Sequence, residues 1–412
     1  MTSVGSQLLS GALHSVFFVY SIVVMSHFLL QTFLADRMFR AAKRERGREH
    51  ESEWAPAVDV VITAYNEEPR SLEACLRSLV DQDYTGELRV YVVDDASPNR
   101  VELEPIYDRF GALPGWRVLL PTENRGKRHA QDAAFALCRG QIVVTIDSDT
   151  AVDPDGVREL VAAFEDATVG AVTGDVGVMN ADVNLLTRLI AMRYWVAFNQ
   201  ERAAQSRFRT VLCCSGPLAA YRRSVLDVVW NDYTNQTFRG VPCTYGDDRH
   251  LTNLVLGAGY DTLFVPFAHA ITNAPESLSS YLPQQLRWNK SFYREILWTL
   301  PFLGRRSPYV AFEMTVQTFL PLLLTLAVAS ALVVSVAQNP RYLLRWAVTI
   351  TVMALIRSSY ALYRTRDVRF LLFVAYGFLH VALLVPMRMR ALLTLTDNRW
   401  GTRRSVQTTS AA

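Results

Sequence analysis

The sequence predicts an α/β domain, with a mostly parallel sheet covered by helices on both faces, set in an α-helical membrane region. Three observations predict it. Strand-like and helix-like segments alternate from Val58 to about Ala274. Long apolar runs lie before and after that stretch. Three strand-like segments end on acidic residues, as in IVVTIDSDT (142–150), where a buried strand runs into Asp147-Ser148-Asp149. A chain of 412 residues is long enough for a soluble core plus a membrane part.

The first segment, Leu13 to Leu34, is almost uninterrupted apolar sequence. About 20 helical residues cross the hydrocarbon core of a bilayer, so this run predicts a spanning helix. A cleaved signal peptide would need a short apolar core behind a basic flank. Here Met1 to Leu13 holds no Lys or Arg, and Arg37, Arg40, Lys43, Arg44, Arg46 and Arg48 follow the run instead. By the positive-inside rule this is a signal anchor whose C-terminal side is cytoplasmic.

In the α/β stretch, VDVVIT (58–63) reads as a buried strand. Ser71 to Val80 follows as a helix, with Leu72, Cys75, Leu76 and Leu79 at helical spacing. LRVYVV (88–93), Trp116 to Leu120 and Gln141 to Ile146 are further strands, and Arg128 to Cys138 is a helix. Such alternation implies a parallel sheet, in which ligands gather at the carboxyl ends of the strands. Those ends carry Ala64-Tyr65-Asn66-Glu67, Asp94-Asp95-Ala96-Ser97 and Asp147-Ser148-Asp149. No GxGxxG follows the first strand and no GxxxxGK[ST] occurs, which argues against dinucleotide enzymes and P-loop NTPases.

Beyond Ala274 come an amphipathic, aromatic-rich stretch, Tyr281 to Phe302, and three apolar ones, Phe312–Ala337, Tyr342–Tyr363 and Phe370–Leu395. Arg364, Arg366 and Arg369 precede the last of these, and Arg388, Arg390, Arg399, Arg403 and Arg404 lie at its far end. Basic flanks on both sides favour an interfacial or re-entrant segment, broken at Pro386, over a further span. The expected divisions are therefore a helix and basic flank (1–50), a catalytic domain (51–275), interfacial helices (276–306), membrane helices (307–396) and a tail (397–412).

The net charge is only +3, and the basic residues concentrate beside the apolar segments. That suits a membrane surface rather than nucleic acid, and no module interleaves aromatic with basic residues. The five cysteines show no CxxC spacing and lie in the part expected in the cytosol, so reduced thiols are expected.

Two carboxylates on one short turn repel each other and are costly to desolvate. A divalent cation resolves this: Mg²⁺ and Mn²⁺ take oxygen ligands, commonly one or two carboxylates plus substrate phosphates. The competing reading is a solvated turn with a helix-capping Asp, as at Asp153-Pro154. Acidic ends on two neighbouring strands favour the metal.

The motifs TAYNEE (63–68), VVDDAS (92–97), NRGKRHAQ (124–131), DSDT (147–150), CSGPLAAYR (214–222), YGDDRHLTN (245–253), QQLRWNKS (284–291) and RWGTRR (399–404) occur in that order. With them, Val58 to about Arg404 resembles a processive, membrane-bound family 2 glycosyltransferase of GT-A fold. The likeness is closest to bacterial hyaluronan synthases, then to nodulation-type chitooligosaccharide synthases. The resemblance implies that Tyr65, Glu67 and Asp95, with Asp94, hold uridine, and that Lys127 meets the phosphates. Asp147 and Asp149 would anchor Mg²⁺ or Mn²⁺, Asp149 more directly. Asp248 would be the general base, with Asp247 its rival. Gln284, Gln285 and Arg287 would bind pyrophosphate and Trp288 would stack on the acceptor sugar. Cys214, Ser215, Gly216 and Pro217 would shape the acceptor pocket, and Trp400, Thr402 and Arg403 would belong to a loop closing over the nucleotide.

Two departures stand out. Hyaluronan synthases usually carry a second leading helix and more spans after the WGT loop, and the glycine of their VDDGS motif is Ala96 here. These bear on channel width, a second subunit and processivity more than on transfer chemistry. The expectation is an inverting enzyme of the inner membrane, multi-pass, with a cytoplasmic catalytic domain. Its partners are UDP-sugars, a growing polysaccharide, lipid and, in a homo-oligomer, itself. Hyaluronan from UDP-GlcNAc and UDP-GlcA is the first product reading; a chitooligosaccharide or other β-glycan from UDP-GlcNAc alone is the alternative. A catalytically silent scaffold or channel is disfavoured by the intact acidic motifs.

Overall fold

A computed structural model describes residues 2–49, 54–337 and 339–398. The first helix, α1 (Thr2–Glu49), runs unbroken through the apolar segment and its basic flank. The α/β domain begins with β1 (Val58–Ala64), α2 (Pro69–Val80), β2 (Leu88–Asp94), α3 (Arg100–Gly111), β3 (Trp116–Leu119) and α4 (Lys127–Phe135). It continues with β4 (Ile142–Asp147), β5 (Thr150–Val152), α5 (Gly156–Ala162), β6 (Val169–Val178), α6 (Leu185–Val196) and α7 (Ala203–Ser206). A π-helical turn, Ala197–Arg202, joins α6 to α7. Then come β7 (Ala219–Arg222), α8 (Arg223–Thr234), the short pair β8 (Thr237–Phe238) and β9 (Val241–Pro242), α9 (Asp247–Gly257) and β10 (Asp261–Thr272). The rest is helical: α10 (Leu278–Leu303), α11 (Pro308–Ala337), α12 (Arg341–Thr365), α13 (Phe373–Leu379) and α14 (Val385–Leu393).

The main sheet has the order β3-β2-β1-β4-β7-β6-β10-β5. β1 lies between β2 and β4, parallel to both, while β7 runs antiparallel to β4 and β6, so the sheet is mixed at its centre. Side chains alternate across it. Val60, Ile62, Val90, Val92 and Val144 pack with α2 and α3 in one core; Val61, Tyr91, Val93 and Val143 pack with α4 and α8 in another. Strands covered on both faces become continuous apolar runs, which is why VDVVIT and LRVYVV show no polar alternation. The strands and helices expected up to Ile146 are all present within a few residues. The helix α3 was not anticipated, although its buried Leu103, Ile106, Tyr107 and Phe110 have helical spacing.

Among the described residues, three helical segments, Ser15–Arg46, Pro308–Ala337 and Val368–Leu393, are long and apolar enough to cross a membrane. Phe370–Leu395, expected in the interface, overlaps the third; Tyr342–Tyr363, expected to cross, lies in α12, which is not among them and carries Arg341, Arg345, Arg357 and Arg364. Pro386 does not break its segment. A π-helical turn, His380–Leu384, precedes it and leads into α14, a usual way of absorbing a disrupted backbone ladder.

The helices of membrane-spanning length are tied to the domain by a buried carboxylate. Glu313 on α11 has no exposed surface. It accepts from Gln31 (3.0 Å), Gln317 (2.7 Å), Tyr309 (3.2 Å) and Gln205 of α7 (3.4 Å), and His27 Nε2 lies 2.7 Å away. Removing one partner from such a network leaves buried donors without an acceptor. Glu313→Ala is therefore expected to destabilise the protein by about 3 kcal/mol, and Glu313→Gln by less. Thermal unfolding of the detergent-solubilised protein measures both.

Candidate active site

Parallel register brings Ala64 beside Asp94 and Thr63 beside Asp147, so the ends of β1, β2 and β4 share one rim. Tyr65 and Glu67, both half-buried, follow β1. Two hydrogen bonds fasten this turn to the next: Asn66 N–H donates to Ser97 Oγ (2.9 Å) and Asn99 Nδ2 to the Glu67 carbonyl (2.8 Å). Ala96 has φ +55°. A left-handed alanine is strained by about 1 kcal/mol, which accounts for the glycine at this position in the sequences it resembles.

Asp94 corrects an expectation. It is fully buried, and its oxygens accept from Tyr107 Oη (2.7 Å), the Ser97 N–H (2.8 Å) and Arg100 (2.7 Å). These bonds hold its carboxyl below the usual range despite burial, which opposes them. All of these partners are protein groups, so Asp94 braces the turn from beneath. Asp95, 3% exposed, accepts from the Arg125 and Gly126 N–H groups at 2.9 and 2.8 Å. It thereby sets Gly126 (φ +90°) and the start of α4.

That placement delivers Lys127 to the centre of the rim. Its Nζ is 2.6 Å from Asp147 Oδ1 and 3.2 Å from Asp247 Oδ2. Burial opposes the ammonium, but Asp147 and then Asp247 outweigh it and keep the lysine charged well beyond its usual range. Expected at the phosphates, Lys127 here bridges DSDT to YGDD. Beside it, Asp149 accepts from Thr272 Oγ1 (3.1 Å) at the end of β10. Burial, then the neighbouring Asp147 charge, pushes the Asp149 carboxyl up to about 6.

Asp247 and Asp248 open α9, where the helix dipole favours carboxylates. They diverge. Burial opposes ionisation of both, but Lys127 and Arg128 hold Asp247 below its usual range, whereas burial and the Asp247 charge raise Asp248. Asp248 Oδ1 accepts from the Arg249 N–H (2.7 Å), and Cys213 Sγ lies 3.5 Å from Oδ2. Gly246 caps the helix at φ +84°, and an added Cβ would stand 2.1 Å from Ser291 Oγ. Gly246→Ala is thus expected to shift Asp248 and lower kcat about 10²-fold, since ångström-scale misplacement has that effect. Turnover under saturating donor reports it.

The segment Cys213–Pro217 completes the rim. Arg202, in the π-helical turn, donates to the Cys213 carbonyl (3.0 Å) and to Ser215 Oγ (3.0 Å). Cys214, expected to line a pocket, is instead fully buried among Ala171, Ala219 and Leu251, with its N–H bonded to Thr252 Oγ1 (2.9 Å). Cys213, half-buried, takes the place nearer the rim. Gly216 and Pro217 form a half-buried turn, and a Cβ on Gly216 would come within 3.0 Å of Lys127 Nζ and 3.1 Å of both Asp147 oxygens. Arg202 and Cys213 have no sequence signal of their own, Cys213 merely adjoining CSGPLAAYR, whereas Gly246 lies inside YGDDRHLTN.

On α10, Gln284, Gln285 and Arg287 are half-buried, and Trp288 is 46% exposed with its ring centre 6.4 Å from that of Tyr194. Trp400, Thr402 and Arg403 lie outside the described residues. Their approach is secured: Asp397 is held by Lys290 Nζ (3.1 Å) and by Tyr245 Oη on its carbonyl (2.7 Å), and the Asn398 carbonyl accepts from Thr244 (2.7 Å).

Among the described residues no three His, Cys, Asp or Glu side chains form a metal cage. A pair of carboxylates, one of them raised by its neighbour's charge, nonetheless fits a hard divalent ion that keeps water and phosphate ligands. Asp149 and Asp147 are the residues that would hold it.

Residues 59–230 match the family model described as Glycosyl transferase family 2. An N-acetylglucosaminyltransferase of Sinorhizobium fredii is 44% identical over 350 residues, covering 85% of this chain and 84% of its own length. Its namesakes in Neorhizobium galegae and Rhizobium meliloti are 41% and 43% identical, covering 91% and 85% of this chain and 86% and 82% of their own. A Pyrobaculum calidifontis mannosyltransferase, solved with GDP-Man and Mn²⁺, superposes with a TM-score of 0.62 at 22% identity, over 92% of this chain and all of its own. The fold is GT-A. With identity at this level along most of its length, the chain belongs to glycosyl transferase family 2, and it is a glycosyltransferase.

Proposed function

We propose that this enzyme transfers GlcNAc from UDP-GlcNAc to a β-linked oligosaccharide at a membrane. The observation that carries the chemistry is the Lys127 bridge. It joins the carboxylates of a strand tip, suited to a metal diphosphate, to the helix N-terminus that presents Asp248. The relatives named N-acetylglucosaminyltransferase support the GlcNAc-only reading over the hyaluronan one.

In this reading Tyr65 and Glu67 border the uracil and ribose, and Asp94 and Asp95 shape the turns around them. Mg²⁺ or Mn²⁺, when bound, neutralises charge on the departing diphosphate. Lys127, Gln284, Gln285 and Arg287 orient that diphosphate. Asp248 accepts the proton of the acceptor hydroxyl as its oxygen bonds to the anomeric carbon. The bond from that carbon to the UDP oxygen breaks, and UDP leaves with the electron pair. Attack opposite the leaving group turns an α-linked donor into a β-linkage. Ser215, Gly216, Pro217 and Trp288 border the acceptor.

Purified enzyme in lipid, given Mn²⁺ and each donor singly and together, tests the reading. Chitinase-sensitive oligomers from UDP-GlcNAc alone are expected. Product only when UDP-GlcA is also present would restore the hyaluronan reading.

A further inference from the structure

Below its apolar run, α1 packs on the domain through Ala35, Met38 and Phe39. Beside this contact lies a groove of about 830 Å³, lined by its Phe33–Glu45 stretch and by the Leu263–Phe267 part of β10, with the end of α7 at one side. This groove shares no lining residue with the active site. Its size is that of a small-molecule pocket, about 300–1,000 Å³.

Its charges are unevenly matched. Arg40 is paired with Asp36 (2.7 Å), Arg209 with Asp261 (2.7 Å), and Glu159 with Arg46 (2.9 Å). Arg37, Arg44 and Arg207 also line the groove, and among the described residues none of them has a carboxylate within ion-pair distance. Arg37 instead lies over the Phe33 ring at 5.4 Å, and Phe33 is 55% exposed. Among the described residues the only other carboxylate lining the groove is Glu45.

The height of the groove is set by the sequence. The apolar run ends at Leu34, so Phe33 sits at the edge of the hydrocarbon and the arginines follow at headgroup level. An aromatic floor meeting hydrocarbon, with guanidinium groups just beyond it, matches an acyl chain joined to a phosphate.

We propose that this groove binds one anionic phospholipid, with its phosphodiester among Arg37, Arg44 and Arg207 and its first acyl carbons on Phe33. The proposal rests on α1 lying in the membrane but not on the donor sugar. Carbonate extraction tests the former separately, since an enzyme released from membranes would sink both.

The full chain in detergent is offered equimolar phosphatidylglycerol and phosphatidylcholine, and retained lipid is counted by native mass spectrometry. At least fivefold preference for phosphatidylglycerol is expected. Arg37→Gln/Arg44→Gln/Arg207→Gln should abolish that preference while keeping wild-type UDP release in phosphatidylcholine. Arg207→Gln alone, at an exposed site on the α/β domain, should halve the preference at least and guards against misfolding of the triple variant. Equal retention of the two lipids, or undiminished preference in either variant, overturns the proposal. Displacement by 20 mM inorganic phosphate would reveal a free-phosphate site and overturn it too.

Discussion

Asp248→Asn is expected to lower turnover about 10³-fold while UDP still binds with near wild-type affinity, because a general base contributes roughly 10²- to 10⁴-fold and not to donor binding. The environment makes the choice between the two adjacent carboxylates. Asp247 is engaged by Lys127 at 3.2 Å and held ionised, so it is a poor proton acceptor and a good anchor. Asp248 is raised by burial and by Asp247, which increases its proton affinity, and the half-buried Cys213 thiol lies 3.5 Å from its Oδ2. Asp247→Asn should therefore act differently, weakening UDP binding through a loosened Lys127 as well as slowing transfer. Single-turnover transfer and calorimetric UDP titration separate the two. An Asp248→Asn enzyme with full turnover would remove that residue from the mechanism.

Loss of the Asp149 carboxylate should be as damaging. Asp149→Asn is expected to weaken Mn²⁺-dependent UDP binding at least 10²-fold, a size seen when the ligand field of a metal is disturbed. The pH dependence carries the sign. Asp149 titrates near 6, and an ion displaces its proton, so affinity for Mn²⁺·UDP should fall about tenfold per pH unit below 6 and level off above it. Asp149→Asn should flatten that slope. In the metal-free enzyme the direction reverses. The folded carboxyl is raised above its usual 3.8, so its contribution to stability is full below about 4 and is lost as pH rises through about 6. Calorimetry between pH 5 and 8 measures the first effect, and unfolding with chelator present measures the second.

Much of this site was legible because its residues are consecutive. A strand tip such as Asp147-Ser148-Asp149 sits at the carboxyl end of its own buried run, so the sequence locates both at once. A parallel register, implied by the alternation of elements, then places three such tips together. Neighbouring residues whose side chains diverge were not legible. Asp94 and Cys214 were assigned to the site with their motifs. Asp94 turns into a hydrogen-bonded brace on α3, and Cys214 turns into the core while Cys213 faces Asp248. Nothing in a motif says which of two adjacent side chains points inward, because that depends on the element packed behind it.

The sequence by itself determined the α/β core, the apolar helices and the acidic strand ends, because periodicity, run length and local order of residues dictate them. Only the tertiary structure decided that Lys127 bridges Asp147 and Asp247, which lie 20 and 120 positions further along the chain, so that three separate elements meet at one ammonium. It likewise decided that Glu313 ties two membrane-length helices to α7. Charges brought together by folding have no signature along the chain, since their attraction depends on distance in space and on the water excluded between them.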